Sequence, residues 1–132
     1  MKKGYTVNIE EKTKSNTDFR HVLYTGHHMQ LVLMTLQSGE DIGLEVHEDN
    51  DQFFRFESGT GSVIVGETTY TVGDGDVVIV PAGTQHNIIN TGVDTLNLYT
   101  IYSPAHHKDG IIRATKAQAM TEEADFDGKT TE

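Results

Sequence analysis

Between residues 21 and 102 the chain consists of short runs of β-branched, aromatic and aliphatic residues, separated mainly by turns that contain glycine. Runs this short and closely spaced are typical of β-strands in a sandwich or small barrel, and they leave no room for crossover helices. We therefore predict an all-β fold. The predicted strands are 21–25, 29–36, 42–47, 52–57, 62–65, 68–72, 77–80, 86–90 and 96–102.

The two ends of the chain have a different pattern. We predict an N-terminal strand at 5–9, a polar connection at 10–18, and one short C-terminal helix at 116–124 with Thr115 as its N-cap. Residues 125–132 are small, polar and acidic, and are expected to fray. The chain is read as one domain with N-terminal strands and connection (1–30), a barrel (31–104) and a C-terminal extension (105–132).

Charge and composition exclude several classes of function. Ten Lys and Arg residues stand against twenty Asp and Glu, a formal net charge of -10, so binding to nucleic acid or to an anionic membrane is disfavoured. The absence of cysteine excludes disulfides, thiol nucleophiles and cysteine metal sites. No apolar run has the length of a membrane span, and the N-terminus does not have the pattern of a signal peptide, so a cytoplasmic location is expected.

Residues 75–90 carry a spaced motif. It reads Gly75, five residues, Pro81, one, Gly83, two, His86, three, Asn90. At average residue usage such a match arises by chance on the order of 10⁻⁷ times per start position. We expect the glycines and the proline to shape turns, and Asn90 to bind backbone groups rather than a metal.

A second spaced motif precedes it. It reads Gly39, five residues, Glu45, one, His47, four, Gln52, six, Gly59. Glu45 and His47 are two residues apart, so on one strand their side chains point to the same face. Gln52 follows a polar turn and begins the next strand, where an antiparallel return would bring it beside His47.

Together the two motifs resemble the paired signatures of the cupin superfamily over residues 31–102, and in particular single-domain bacterial cupins of the mannose-6-phosphate isomerase-like group. The resemblance implies a double-stranded β-helix, also called a jelly-roll barrel, a homodimer and a metal site. Glu45 stands where the family usually has its first ligand histidine, and Gln52 stands where the family has glutamate. His47 and His86 match the family ligands.

The substitutions leave the formal charge of the implied site unchanged. Two neutral imidazoles, one amide and one carboxylate leave a divalent ion with a single net positive charge, as the usual family ligands do. We therefore expect Glu45, His47, Gln52 and His86 to bind one divalent transition metal, Mn, Fe, Zn or Ni. Four protein ligands in an octahedron leave two positions for water or substrate.

We predict a metal-dependent enzyme of isomerase, epimerase, lyase or dioxygenase type that acts on a small polar or sugar-like molecule in the barrel. Glu45 would double as the catalytic base, and Phe54 and Phe56 would line the substrate pocket. The alternative is a non-catalytic small-molecule or sugar sensor that has lost the metal, with Gln52 and Glu45 hydrogen-bonded to His47 and His86.

A third hypothesis treats the barrel mainly as an interaction module, with Phe53 and the N-terminal strand as homodimer contacts. Five further histidines are expected in surface or loop roles, since adjacent residues on an extended chain point to opposite faces. They are His21, His27, His28, His106 and His107.

Overall fold

The computed structural model describes residues 1–132. Along the chain the elements are α1 (Ile9–Ser15), β1 (Arg20–Thr25), β2 (Gln30–Leu36), β3 (Asp51–Ser58), β4 (Gly61–Val65), β5 (Thr68–Val72), β6 (Val77–Val80), β7 (His86–Asn90), β8 (Leu96–Ser103), β9 (Ile112–Arg113) and α2 (Lys116–Thr121). The strands form a six-stranded sheet in the order β6-β3-β8-β2-β1-β9 and a three-stranded sheet in the order β5-β4-β7. All pairings are antiparallel, and the predicted all-β fold is confirmed.

The strand predictions hold within two residues, except at 42–47. There the structure has only two isolated bridges to β7, Asp41 to Ile89 and Glu45 to His86. The two bridges are one residue out of register with each other, so no continuous ladder forms. The segment still lies along β7, because the backbone N–H of Ile42 also donates to the carbonyl of Ile88 at 3.0 Å.

The predicted N-terminal strand at 5–9 is wrong, because a helix, α1, begins at Ile9. Asn8 caps it by accepting a hydrogen bond from the backbone N–H of Glu11 at 3.0 Å. Lys14 donates to Glu10 one turn earlier at 2.8 Å, a pairing that stabilises an exposed helix. The alternating residues before Asn8 favour a strand, whereas the Asn8 cap favours a helix. The polar connection predicted at 10–18 is likewise wrong over the residues that α1 occupies.

The C-terminal helix α2 is confirmed, with Thr115 accepting a hydrogen bond from the backbone N–H of Gln118 at 3.1 Å. It ends at Thr121, three residues earlier than predicted. The short strand β9 was not predicted, since two residues carry no readable periodicity.

The apolar core lies between the two sheets. Alternate residues of β3 and β8, among them Phe54, Phe56, Leu96 and Leu98, are fully buried in one cluster of 17 residues. Burying side chains of this size contributes about 1.5–3 kcal/mol each relative to leaving them exposed. The barrel is therefore closed by apolar packing, independently of any bound ion.

Asn90, the last residue of the 75–90 motif, has the structural role expected of it. Its amide nitrogen donates to the carbonyls of Leu36 at 3.0 Å and Asp94 at 2.9 Å, and its side-chain oxygen accepts from the N–H of Gly92 at 2.9 Å. Asn90 thus ties the ends of three segments together and does not lie among the candidate ligands.

Several apolar side chains remain exposed on the sheet edges. Val77 and Ile79 on the edge strand β6 are 43% and 63% exposed, and Tyr70 on β5 is 49% exposed. The homodimer stays a prediction, although the N-terminal strand proposed as part of its interface is absent. No helix combines the length and the apolar character needed to cross a lipid bilayer.

The glycines that end the first motif and begin the second allow a matched test of the fold. Gly59 and Gly75 both have positive φ, +96° and +86°, where an alanine costs about 1–2 kcal/mol. An added Cβ at Gly59 would also lie 2.5 Å from the carbonyl oxygen of Thr95, whereas nothing lies within 4 Å at Gly75.

We expect Gly75→Ala to lower the free energy of unfolding only through the backbone strain of its positive φ. Gly59→Ala should lower it by about 1–3 kcal/mol more, because its Cβ also collides with the Thr95 carbonyl. Urea denaturation of the two variants and the wild type measures both effects. Equal losses in the two variants would contradict the described packing at Gly59.

Candidate metal centre

One antiparallel bridge joins the segment before β3 to the start of β7. The N–H of Glu45 donates to the carbonyl of His86 at 2.9 Å, and the N–H of His86 donates to the carbonyl of Glu45, also at 2.9 Å. Two residues further on, the carbonyl of His47 accepts from the N–H of Gly83 at 2.9 Å. These backbone bonds bring together two motifs that are about forty residues apart in the chain.

The side chains of Glu45, His47 and His86 converge. Each can offer one ligand atom, and these atoms all lie within 4.8 Å of one another. Glu45 Oε2 and His47 Nε2 are 3.1 Å apart. Two donors that each lie about 2.1 Å from one ion, at right angles, are themselves about 3.0 Å apart. The three residues therefore form a candidate metal site.

His86 has the form that a metal ligand requires. Its Nδ1 lies 3.0 Å from the backbone carbonyl of Thr84, which can only accept, so Nδ1 carries the proton. Its Nε2 therefore has a free lone pair, and this atom is buried without any hydrogen-bond partner. Burial lowers the pKa of His86, which keeps the ring neutral and able to bind a cation.

Gln52 is also buried, with 2% of its surface exposed. Its amide nitrogen donates to Thr100 Oγ1 at 3.0 Å, while its Oε1 is buried with no partner. In the sheet Gln52 lies opposite Tyr102, whose ring centroid is 5.7 Å from that of His47. The amide oxygen is thus a buried acceptor without a partner, and its predicted role as a ligand stays a prediction.

A cavity of about 310 Å³ opens beside Glu45 and His47. Side chains from β1, from the segment after β8 and from the segment after α2 close its other walls. The lining residues are Arg20, Glu45, Val46, His47, His106, His107, Glu123, Ala124 and Asp125.

The two phenylalanines predicted to contact substrate lie elsewhere. Phe54 and Phe56 have no exposed surface and belong to the apolar core. The ring centroid of Phe54 is 6.1 Å from that of His86, so it packs on the protein side of the site. Neither residue lines the cavity, and their contact with a substrate stays a prediction.

Surface or loop roles were expected for His106 and His107; both lie in the connection between β8 and β9, but a surface position is wrong for them. The ring centroid of His106 is 4.2 Å from that of His47, and His107 is only 8% exposed. Burial lowers the pKa of both rings, that of His107 to about 2, so both are neutral in the folded protein.

A buried side chain of β2 holds this histidine pair in place. Gln30 donates from Nε2 to the carbonyl of His107 at 2.7 Å, and its Oε1 accepts from the N–H groups of His106 and His107 at 3.2 and 3.0 Å. His107 Nε2 also bonds to the Tyr102 hydroxyl at 3.1 Å. Gln30 is more than seventy residues away in the sequence, so no local pattern revealed this contact.

The remaining histidines are as predicted. His27 and His28 are exposed in the turn between β1 and β2, and His21 lies 3.5 Å from Asp18 at the surface. None of the three lines the cavity.

With this geometry in place, comparison with known proteins defines the class. The cupin domain family profile matches residues 32–102, more than half of the chain, and the chain belongs to the cupin family. The expected family and the cupin fold are therefore confirmed.

Individual proteins match over most of the chain. The uncharacterized Bacillus subtilis protein YrkC is 47% identical over 127 residues, which is 92% of this chain and 68% of YrkC. The crystal structure of BH2720 from Bacillus halodurans is 46% identical, with a TM-score of 0.89 and coverage of 91% of this chain and 96% of that one. A more distant match is the mannose-1-phosphate guanylyltransferase RfbM of Salmonella typhimurium, 28% identical over 104 residues but only 22% of that enzyme.

The buried neutral histidines predict a dependence of stability on pH. His86, His106 and His107 have folded-state pKa values below their ordinary value, so below about pH 6.5 the unfolded chain binds more protons than the folded one. As the pH falls below about 6.5, we expect the metal-free protein to lose up to about 1.4 kcal/mol of unfolding free energy per pH unit through His107, with losses in the same direction from His86 and His106.

Urea titrations in chelator at several pH values measure this slope. His107→Gln should make the slope shallower, whereas His28→Gln, which changes an exposed ring, should leave it unchanged. A stability that stays constant over the same pH range would contradict the described burial of the histidines.

Proposed function

We propose that the protein is a metal-dependent cupin enzyme that acts on a small polar molecule in the cavity beside Glu45 and His47. Glu45, His47, Gln52 and His86 would hold one divalent transition metal, Mn, Fe, Zn or Ni. The two imidazoles and the oxygen donors suit these metals. When bound, the ion would act as a Lewis acid that polarises a substrate carbonyl.

The observation that carries the proposal is the unpartnered Nε2 of His86. A buried polar atom without a partner costs about 1–3 kcal/mol, so such atoms call for an explanation. A cation held with Glu45 and His47 provides one, because the lone pair of His86 already faces that pair and the Thr84 carbonyl fixes its tautomer.

The sensor hypothesis has weaker support. A metal-free polar pocket would have Gln52 and Glu45 hydrogen-bonded to the two histidines. The Glu45–His47 contact is present at 3.1 Å, but Gln52 donates to Thr100 instead, and its own Oε1 and the Nε2 of His86 both stay unpaired. The unpaired His86 Nε2, on a residue that converges with the Glu45 carboxylate, favours a bound cation.

The cavity also offers groups that can move protons. His106 lines it beside His47, makes no side-chain hydrogen bond, and is kept neutral by burial, so its ring can accept a proton. Glu45, 28% exposed, is the proposed base from the sequence. Two proton acceptors on one wall support isomerase, epimerase or lyase chemistry more directly than oxygen-dependent cleavage.

The ligand set predicts how metal content responds to substitution. We expect His86→Ala to lose most bound metal while staying folded, because apolar packing closes the barrel. Elemental analysis of protein purified without a metal-affinity column measures the content. His28→Ala, which removes an exposed ring outside the cavity, is the matched control and should retain wild-type content.

Circular dichroism shows whether each variant keeps its β-sheet spectrum. Equal and negligible metal in the wild type and in His86→Ala would contradict the enzyme proposal and favour the sensor.

Replacing Gln52 by glutamate tests its proposed role as a ligand. Gln52→Glu adds a second carboxylate and brings the formal charge of the loaded site to zero, so we expect it to bind metal at least as tightly as the wild type. Competition with a chelator of known affinity measures the change. If residue 52 is not a ligand, the new carboxylate is buried without a compensating cation, which disturbs the structure around it. A large loss of metal affinity in this variant would therefore exclude residue 52 from the site.

A further inference from the structure

Arg20 is the one arginine or lysine that lines the cavity. It is the first residue of β1 and is paired across the sheet with Arg113 of β9, so the strand fixes its position. Arg20 and the candidate ligands Glu45 and His47 border the same space. A molecule that fills this cavity of about 310 Å³ would lie against Arg20 and against the two candidate ligands.

The guanidinium of Arg20 lacks the partners that the other arginines have. Arg55 donates from Nε to Glu57 at 3.1 Å, and Arg113 donates from Nε to the carbonyl of Glu122 at 2.8 Å. Arg20 makes no ion pair within 4.0 Å, and its Nε is buried without a hydrogen-bond partner. A buried donor on a permanently charged group is costly unless an acceptor arrives with the ligand.

The charge of the cavity selects among anionic acceptors. Glu45, Glu123 and Asp125 supply three carboxylates, which balance a divalent ion and the single guanidinium. With the ion bound, a ligand with one negative charge disturbs this balance less than a doubly charged phosphate does. Without the ion the carboxylates are in excess, and the singly charged ligand is again repelled less. The planar guanidinium fork matches carboxylate and phosphate geometry alike, so charge is what distinguishes the two ligands here.

We propose that Arg20 binds the carboxylate of a small organic acid that enters the cavity, and that it sets the substrate class of the enzyme. The proposal rests on the proposed function for what happens to the acid at the metal, but the binding contact itself needs no metal. Neutral sugars and phosphate esters are then poorer ligands than carboxylates of similar size.

The test follows the Nε–H signal of Arg20 in ¹⁵N-labelled, metal-free protein by nuclear magnetic resonance. Only three arginines are present, so Arg55 and Arg113 serve as internal controls. The probes are lactate, propane-1,2-diol, which has the same carbon skeleton without the carboxylate, and inorganic phosphate. The titrations are repeated on zinc-loaded protein, and metal content is measured separately.

We expect lactate to shift the Arg20 signal saturably and to bind more tightly than phosphate in both forms. Because the carboxylates of the metal-free cavity oppose an anion, lactate should bind more tightly in the zinc-loaded form, and there more tightly than the diol. Arg20→Gln should weaken lactate binding, followed through backbone signals of the cavity wall, by about tenfold or more. Arg20→Lys should restore part of the affinity. Lys12→Gln, the same loss of charge at an exposed site on α1, should have no effect.

Unchanged lactate affinity in Arg20→Gln, an equal response to the diol in the zinc-loaded form, or tighter binding of phosphate would each overturn the proposal. Thermal unfolding shows whether Arg20→Gln is folded, and Arg20→Lys supplies the comparison if it is not. A wild type that binds lactate through Arg20 but holds no metal would overturn the proposed metal chemistry and leave the Arg20 contact standing.

Discussion

The site depends on one pair of backbone hydrogen bonds, those that Glu45 and His86 exchange at 2.9 Å. This bridge joins a segment with no regular strand to the first residue of β7. Because Glu45 and His86 each donate and accept one hydrogen bond, the distance between the two segments and their relative direction are fixed. The Glu45, His47 and His86 side chains converge as a result, although the two motifs come from different parts of the chain.

The surroundings prepare these side chains for a cation. The Thr84 carbonyl sets the tautomer of His86, burial keeps its ring neutral, and the Thr100 hydroxyl holds the Gln52 amide nitrogen so that its oxygen is the free end. The cavity wall from the chain after β8 adds His106, held by Gln30. Hydrogen bonds thus hold His86 and Gln52 in place, and the cavity side carries the neutral ring of His106.

Much of the fold could be predicted from local patterns. Strands such as β5, β6 and β7 show their bounds directly, because glycine turns flank short β-branched runs. Helix α1 was missed because its signal, the Asn8 cap and the Glu10–Lys14 pair, was weaker than the alternation before it.

The site could be predicted only where its residues belong to spaced motifs. Glu45, His47 and His86 are such residues, and the structure brings them together. Arg20 and His106 are not, since long-range contacts alone place them in the cavity. Neither residue belongs to a spaced motif that would link it to the candidate ligands. No local sequence pattern distinguishes His106, which lines the cavity, from His28, which is exposed.

The central claim is that two histidines and oxygen donors bind one ion at the bridge between Glu45 and His86. X-ray absorption spectroscopy of the zinc-loaded protein tests it most directly, because the outer-shell scattering counts imidazole ligands. The account predicts two imidazoles, with nitrogen and oxygen donors at about 2.0–2.2 Å. A spectrum without imidazole scattering, or one with three or more imidazoles, would contradict it.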